Sequence, residues 1–243
     1  KHIWQQHSAY YSRKNIFYSN FSHRILTVSE FCKKSFTNKM SKRAIVIKNI
    51  FSPVILKNVK SKNFNQKIVI TFIGNNNRQK RLHIFLGIVK KLVSYYKEKI
   101  LVVIVGNIEN CSEILSSYEI KNFKHYKFSE EVFSILKSSS LLIAPSANEG
   151  FGRIIIEAML AETLVLASRS GGHKEIINQN ETGFLAELDC VDDFYESALK
   201  ILSFSLKEKN KIIRTASKYA KTNFLHADTL KNLLDTYKCQ KKY

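Results

Sequence analysis

The chain has 243 residues, 44% apolar and 24% charged, the composition of a soluble globular protein with length for one or two domains. No apolar run approaches the ~20 residues that span a bilayer, and the opening Lys1-His2-Ile3-Trp4 has no signal-peptide core. The formal charge of +19 comes mainly from lysines scattered along the chain; they suit solvated helix faces, with weak attraction to an anionic membrane surface as a second reading, and the absence of a basic stripe with interleaved aromatics argues against nucleic acid as a partner.

In chain order, Arg24 to Val28 and Ala44 to Ile47 read as strands, with a helix from Glu30 to Thr37 between them. These pieces cannot bury a core alone, so residues 1–52 read as the tail end of another domain. Pro53 to Gln66 is polar and lysine-rich and reads as a linker. Strand and helix patterns then alternate. Lys67 to Gly74 is a buried strand, and Leu82, Phe85, Leu86, Val89, Leu92 and Tyr96 share one helix face. Ile100 to Val105 is a strand, Cys111 to Tyr118 a short helix, Phe123 to Phe128 a strand and Glu130 to Lys137 a helix. Leu141 to Ala144 is a strand, Gly152 to Ala161 a helix, Thr163 to Ala167 a strand, and Gly172 to Asn178 a helix start. Gly183 to Glu187 closes the strands, and Asp189, Asp192 and Asp193 mark another helix N-terminus. Near-continuous apolar strands alternating with amphipathic helices predict an α/β fold, a Rossmann-like parallel sheet with helices on both faces. Such sheets bind ligands at strand carboxyl ends, here the loops after Gly74, Gly106, Pro145 and Ala167. Residues 53–222 form this domain.

Cys32, Cys111, Cys190 and Cys239 lie far apart without CxxC spacing, and the histidines show no HExxH or HxH grouping. Free thiols in a reducing cytoplasm, without a structural metal, follow. The most informative segment is Ser146 to Glu157: a Gly-bearing turn, Glu149-Gly150-Phe151-Gly152, between strand and helix. Such a turn presents amide N–H groups at the positive end of a helix dipole, which suits phosphate. Glu149 and Glu157 are eight residues apart, about 12 Å along a helix. That exceeds the ~5–9.5 Å of glycosidase carboxylate pairs. It suits gripping the two hydroxyl-rich ends of a nucleotide diphosphate-sugar, with the diphosphate on the helix start.

Pro145-Ser146-x-x-Glu149-Gly150-Phe151-Gly152 through Glu157 resembles the E-x7-E signature of the retaining glycosyltransferases of family 4, which have the two-domain GT-B fold. The segments Ala158 to Ala167, Gly171-Gly172-His173-Lys174-Glu175-Ile176 and Thr182-Gly183-Phe184-Leu185 are similar to the family's "EAMA-G-PV-A", "GG-x-x-E-I" and "TG-F-L". The resemblance implies that Glu149 contacts the donor sugar near the reacting carbon, Glu157 holds the ribose, and backbone groups of Phe151, Gly152, Arg153 and Ile154 meet diphosphate and sugar. It places Lys80, in the loop opened by Gly74, beside the leaving diphosphate. Asn75 stands where the family has arginine, with Arg78 as a candidate to supply that charge from a shifted position. His7, after Trp4-Gln5-Gln6, falls where the family has a sugar-contacting histidine. Tyr126 falls in the nucleobase loop, whose family "F-x-G" turn lacks its glycine here.

The resemblance implies a hexosyl-type transferase with a UDP- or GDP-sugar donor, no cofactor and no metal. The acceptor would be a glycan or a lipid-linked glycan, and the protein cytoplasmic or peripheral at the inner membrane face. It also implies that residues 1–52 are the remnant of an N-terminal acceptor-side domain, that residues 223–243 form a final helix crossing back to it, and that about a hundred further residues precede His7 in a complete enzyme, so that this chain binds nucleotide and transfers sugar poorly or not at all. Other readings stay open: a silent GT-B partner subunit, a GT-B epimerase or phosphorylase, or a basic nucleic-acid-binding protein. A NAD-binding domain is disfavoured, since no GxGxxG follows a strand.

Overall fold

The computed structural model describes residues 3–6, 22, 24–52, 60, 62–64 and 67–225. Three short parallel strands, β1 (Ile3–Gln6), β2 (Arg24–Thr27) and β3 (Ala44–Val46), form a small sheet in that order. The helix expected from Glu30 to Thr37 is instead two, α1 (Glu30–Lys34) and α2 (Asn38–Ser41). Each has its own hydroxyl cap: Ser29 accepts the Cys32 N–H and Thr37 accepts the Met40 N–H. Thr37 therefore starts a second helix where the sequence reading ended the first. The linker from Pro53 is mostly outside the described residues, as is the final helix expected over residues 223–243 from residue 226 on.

The main sheet has β4 (Ile68–Ile73), β5 (Ile100–Val105), β6 (Phe123–Tyr126), β7 (Leu141–Ala144), β8 (Val165–Ser168) and β9 (Phe184–Ala186). Its order is β6-β5-β4-β7-β8-β9, with every neighbouring pair parallel. The helices between and after these strands are α3 (Leu82–Tyr96), α4 (Cys111–Ser117), α5 (Val132–Lys137), α6 (Arg153–Leu160), α7 (His173–Ile176), α8 (Val191–Ser203) and α9 (Leu206–Phe224). The two-residue alternation of each strand divides its side chains between faces. Ile70, Phe72, Val102, Ile104, Leu141, Ile143 and Leu166 join the core under α3, α4 and α8. Leu142, Ala144, Val165 and Ala167 join the core under α6 and α9. The chain steps outward from β4 to β6 on one side and from β7 to β9 on the other, so strand order reverses between β4 and β7.

The small sheet is fastened to the second core. Val28, Cys32 and Phe51 lie in the same cluster as α6 and α9. Phe224, fully buried, meets Phe151 edge-on at 5.9 Å and accepts the Phe51 N–H through its carbonyl at 2.9 Å. Helix α9 has a capping box, with the Ser205 side chain accepting from Glu208 N–H and the Glu208 side chain accepting from Ser205 N–H. The Ser205-x-x-Glu208 signal stood in the sequence, although the sequence reading named no helix there.

Helix α6 ends at Leu160, and Glu162 follows at φ 63, a left-handed conformation in which an L side chain is strained. In the pattern that residues 157–167 resemble, glycine stands at this position. Glu162→Gly removes the strain at a helix exit suited to glycine and should raise unfolding stability by about 0.5–1 kcal/mol, measured by urea denaturation; an unchanged or lower value would show that the backbone there is not strained.

Candidate functional site

The carboxyl ends of β4 and β7 border the switch in strand order, where open parallel sheets bind ligands. A cleft of about 550 Å³ opens there, walled by the loop after β4, the turn before α6, residues 127–129 after β6, and Asn49 beyond β3. Gly74, Lys80, Glu149, Phe151, Gly152, Arg153, Ile154 and Glu157 all line it. Phe151 contributes backbone, because its ring points into the core against Phe224. No side chain caps α6, so its first turn opens onto this cleft with the helix dipole's positive end.

Lys80 Nζ pairs with Glu149 Oε2 at 2.6 Å, both side chains half-buried. Among the described residues, Glu157, further along α6, pairs with the exposed Arg153 at 3.7 Å. Burial pushes the Glu157 carboxyl up, and Arg153 and Lys80 only partly offset that. Its ionised form is therefore short of donors at neutral pH, which suits an acid that receives hydroxyl hydrogen bonds from a ligand.

The turn bearing Glu149 is set by the loop after β8. Gly171 has φ 57, and a Cβ there would lie 2.5 Å from Glu149 O and 2.7 Å from Glu149 N. Gly172 N–H donates to Glu149 O at 2.8 Å. A Cβ on Gly172 would lie 2.8 Å from Gly150 O and from Phe151 Cα. The paired glycines of the sequence motif thus let one backbone rest on another. Glu175, in the same motif, caps α1: its carboxylate accepts the N–H of Glu30 at 3.0 Å and of Phe31 at 2.6 Å.

His173, fully buried, packs beneath Gly152. Its Nδ1 lies 3.2 Å from Ser168 O and 3.1 Å from Ser168 Oγ, while that hydroxyl donates to Ser146 O. Both groups at Nδ1 are therefore acceptors, which places the imidazole proton on Nδ1. Nε2 is a bare acceptor with no partner among the described residues. A Cβ on Gly152, whose φ is 99, would come within 2.9 Å of His173 Cδ2, so only glycine fits between the ring and the cleft. Burial drives the His173 pKa down to about 4, with Glu149 opposing.

Several expected site residues fall elsewhere. Arg78 is exposed and lines a separate cleft, beyond the strand of loop that carries Lys80. Asn75, where the resembled pattern has arginine, lines the cleft, and its Oδ1 accepts the Asn107 N–H at 2.8 Å, joining the loops after β4 and β5. Tyr126 ends the edge strand β6, where its ring packs beside Val103 and Val105 and lies under Lys62 Nζ at 5.4 Å. The next residues, Lys127, Phe128 and Ser129, line the cleft instead, and Phe128 is 83% exposed. His7 lies outside the described residues. Sequence reasoning missed Asn49, His173 and residues 127–129; the missing glycine near Tyr126 was the only signal for the last. Among the described residues no group of three metal-ligating side chains converges, and no helix is long and apolar enough to cross a membrane.

The family model "Glycosyl transferases group 1" matches residues 55–219. An uncharacterized glycosyltransferase of Methanocaldococcus jannaschii, MJ1178, is 29% identical over 187 residues, 75% of this chain and 50% of that protein. The human GDP-Man:Man(3)GlcNAc(2)-PP-Dol alpha-1,2-mannosyltransferase is 34% identical over 116 residues, 46% of this chain and 23% of that protein. The chain thus spans half or less of these relatives' lengths. Among solved structures, Anabaena Alr3699/HepE in complex with UDP and glucose superposes with a TM-score of 0.84 at 17% identity, over 98% of this chain and 71% of that one. This likeness establishes the GT-B fold.

The buried neutral imidazole beneath Gly152 makes acid stability a test of this geometry. Between pH 6.5 and about 4 the unfolded chain binds a proton at His173 that the folded protein does not. That contribution is complete above pH 6.5 and is lost as pH falls to about 4, on the order of 3 kcal/mol. Denaturant unfolding at about pH 7 and about pH 4.5 should show a smaller acid loss in His173→Asn than in the wild type; equal losses would remove His173 as the cause.

Proposed function

The chain belongs to the glycosyl transferases group 1 family, and from that membership we propose that its cleft binds a nucleoside diphosphate sugar for a retaining, family 4-type transfer. One observation carries this reading: Lys80, Glu149, the uncapped start of α6 and Glu157 meet in a single cleft at the strand-order switch. The diphosphate rests against the Gly152 to Ile154 amides. Glu149 accepts from sugar hydroxyls and Glu157 from ribose hydroxyls. Exposed Phe128 offers a stacking face for the base beside Lys127 and Ser129.

In the proposed reaction the acceptor hydroxyl oxygen attacks the anomeric carbon on the face from which the diphosphate departs. The bond to the phosphate oxygen breaks, and the acceptor proton passes to that oxygen. Lys80 and the α6 dipole stabilise the charge that grows there. By family resemblance His7 would contact the donor sugar. UDP or GDP is the expected nucleotide, a glycan or lipid-linked glycan the acceptor, and the cytoplasmic side of a membrane the setting. No bound metal or cofactor enters these steps.

A thermal-shift and calorimetric series with UDP-, GDP- and ADP-sugars tests the donor. One nucleotide should stabilise the protein selectively, and Lys80→Ala should weaken it about tenfold or more. No response to any of them would remove the proposal. Glu157→Gln should raise the melting temperature of the free protein, since it removes a desolvated charge. It should also weaken nucleotide binding about tenfold. A fall in melting temperature would mark Glu157 as a structural residue instead.

A further inference from the structure

The loops carrying Lys80 and Glu149 have a second side. Ala147 N–H donates to Gln79 O at 2.8 Å, joining the loops into one wall. Lys80 and Glu149 line the donor cleft on one side of it. On the other, Arg78, Gln79, Arg81, Ala147 and Asn148 line a separate cleft of about 400 Å³. The two arginines there differ. Arg81 is held by Asp189, with Nε 2.8 Å from Oδ1 and Nη2 2.9 Å from Oδ2. Arg78 is exposed, and its guanidinium has no acid partner among the described residues. One uncompensated guanidinium among carboxamides is the donor set of an oxyanion site. Its place is informative as well. Asn148 adjoins Glu149, which marks the sugar end of the donor cleft, whereas Glu157 and Phe128 mark the ribose and base end.

We propose that this second cleft holds an anionic group, a phosphate monoester, of the acceptor, with Arg78 as its charge partner. The inference rests on the donor reading for the direction of the sugar end. Arg78 then selects the acceptor and does not touch the leaving diphosphate. The phosphate has two possible sources, a sugar phosphate or a lipid phosphate, and both present the same dianionic headgroup to a guanidinium fork.

The test titrates inorganic phosphate, glucose 1-phosphate and a short-chain phosphatidic acid into protein saturated with UDP, and separately into the Lys80→Ala protein. Phosphate should bind in both, and Arg78→Ala should weaken it about tenfold while leaving UDP affinity unchanged. Tighter binding of glucose 1-phosphate or of phosphatidic acid than of phosphate identifies the source. Displacement of phosphate by UDP, an unaltered phosphate affinity in Arg78→Ala, or no phosphate binding at all would overturn the proposal. Failure of UDP to bind would sink the donor reading alone, because the Lys80→Ala and Arg78→Ala arms still report on the second cleft.

Discussion

The close approach of two backbones, Gly171-Gly172 against Glu149 to Phe151, is the constraint on which the site depends. It fixes the turn before α6, and with it the direction in which the helix's first amides face. A side chain at either glycine would meet backbone atoms within 2.8 Å, atoms that have no rotamer through which to withdraw. Two further contacts extend the constraint. Ser29 Oγ and Cys32 Sγ donate to Gly150 O, and Glu175 caps α1 from the loop that follows the glycines. The small sheet, the turn and the cleft are therefore positioned by one continuous set of contacts, and Asn49 reaches the cleft because α1 and β3 are held there.

The large features of this arrangement were legible in the sequence because each rests on a local pattern. Ile68–Ile73, broken only by Thr71, and Ile100–Val105 are near-continuous apolar runs, the pattern of strands in a sheet covered on both faces. The Glu149 to Glu157 spacing and Lys80 in its loop identified residues that share one cleft. What was not legible depends on which way a loop turns. Arg78 is two residues from Lys80, yet the 78–81 turn sends the two cations to opposite sides of a wall. Periodicity has no authority over such a turn. Tyr126 and Phe128 show the same limit: strand β6 ends at Tyr126, so the ring stays with the core and the cleft begins one residue later. The helix break at Ser35 to Thr37 was readable in principle, since Thr37 is a strong cap, but the run from Glu30 masked it.

The charges of the cleft are arranged for exchange of partners. Lys80 and Glu149 hold each other at 2.6 Å, and both remain partly open to solvent. Glu157 has a weaker, longer pairing with a more exposed arginine. In the proposed complex a diphosphate sugar would compete for both halves of the first pair, its phosphate oxygens attracting Lys80 while its hydroxyls donate to Glu149. The ion pair is thus replaced by two charge-assisted contacts, and neither group is left buried without a partner, the costly outcome for a desolvated charge. Glu157 would gain more in that complex, because ribose hydroxyls would supply donors that Arg153 supplies poorly. A neutral ligand gains little from Lys80, and an inorganic anion gains nothing from the two acids. In that proposed complex, a molecule with an anionic middle and hydroxyl-bearing ends would engage Lys80, Glu149 and Glu157 together.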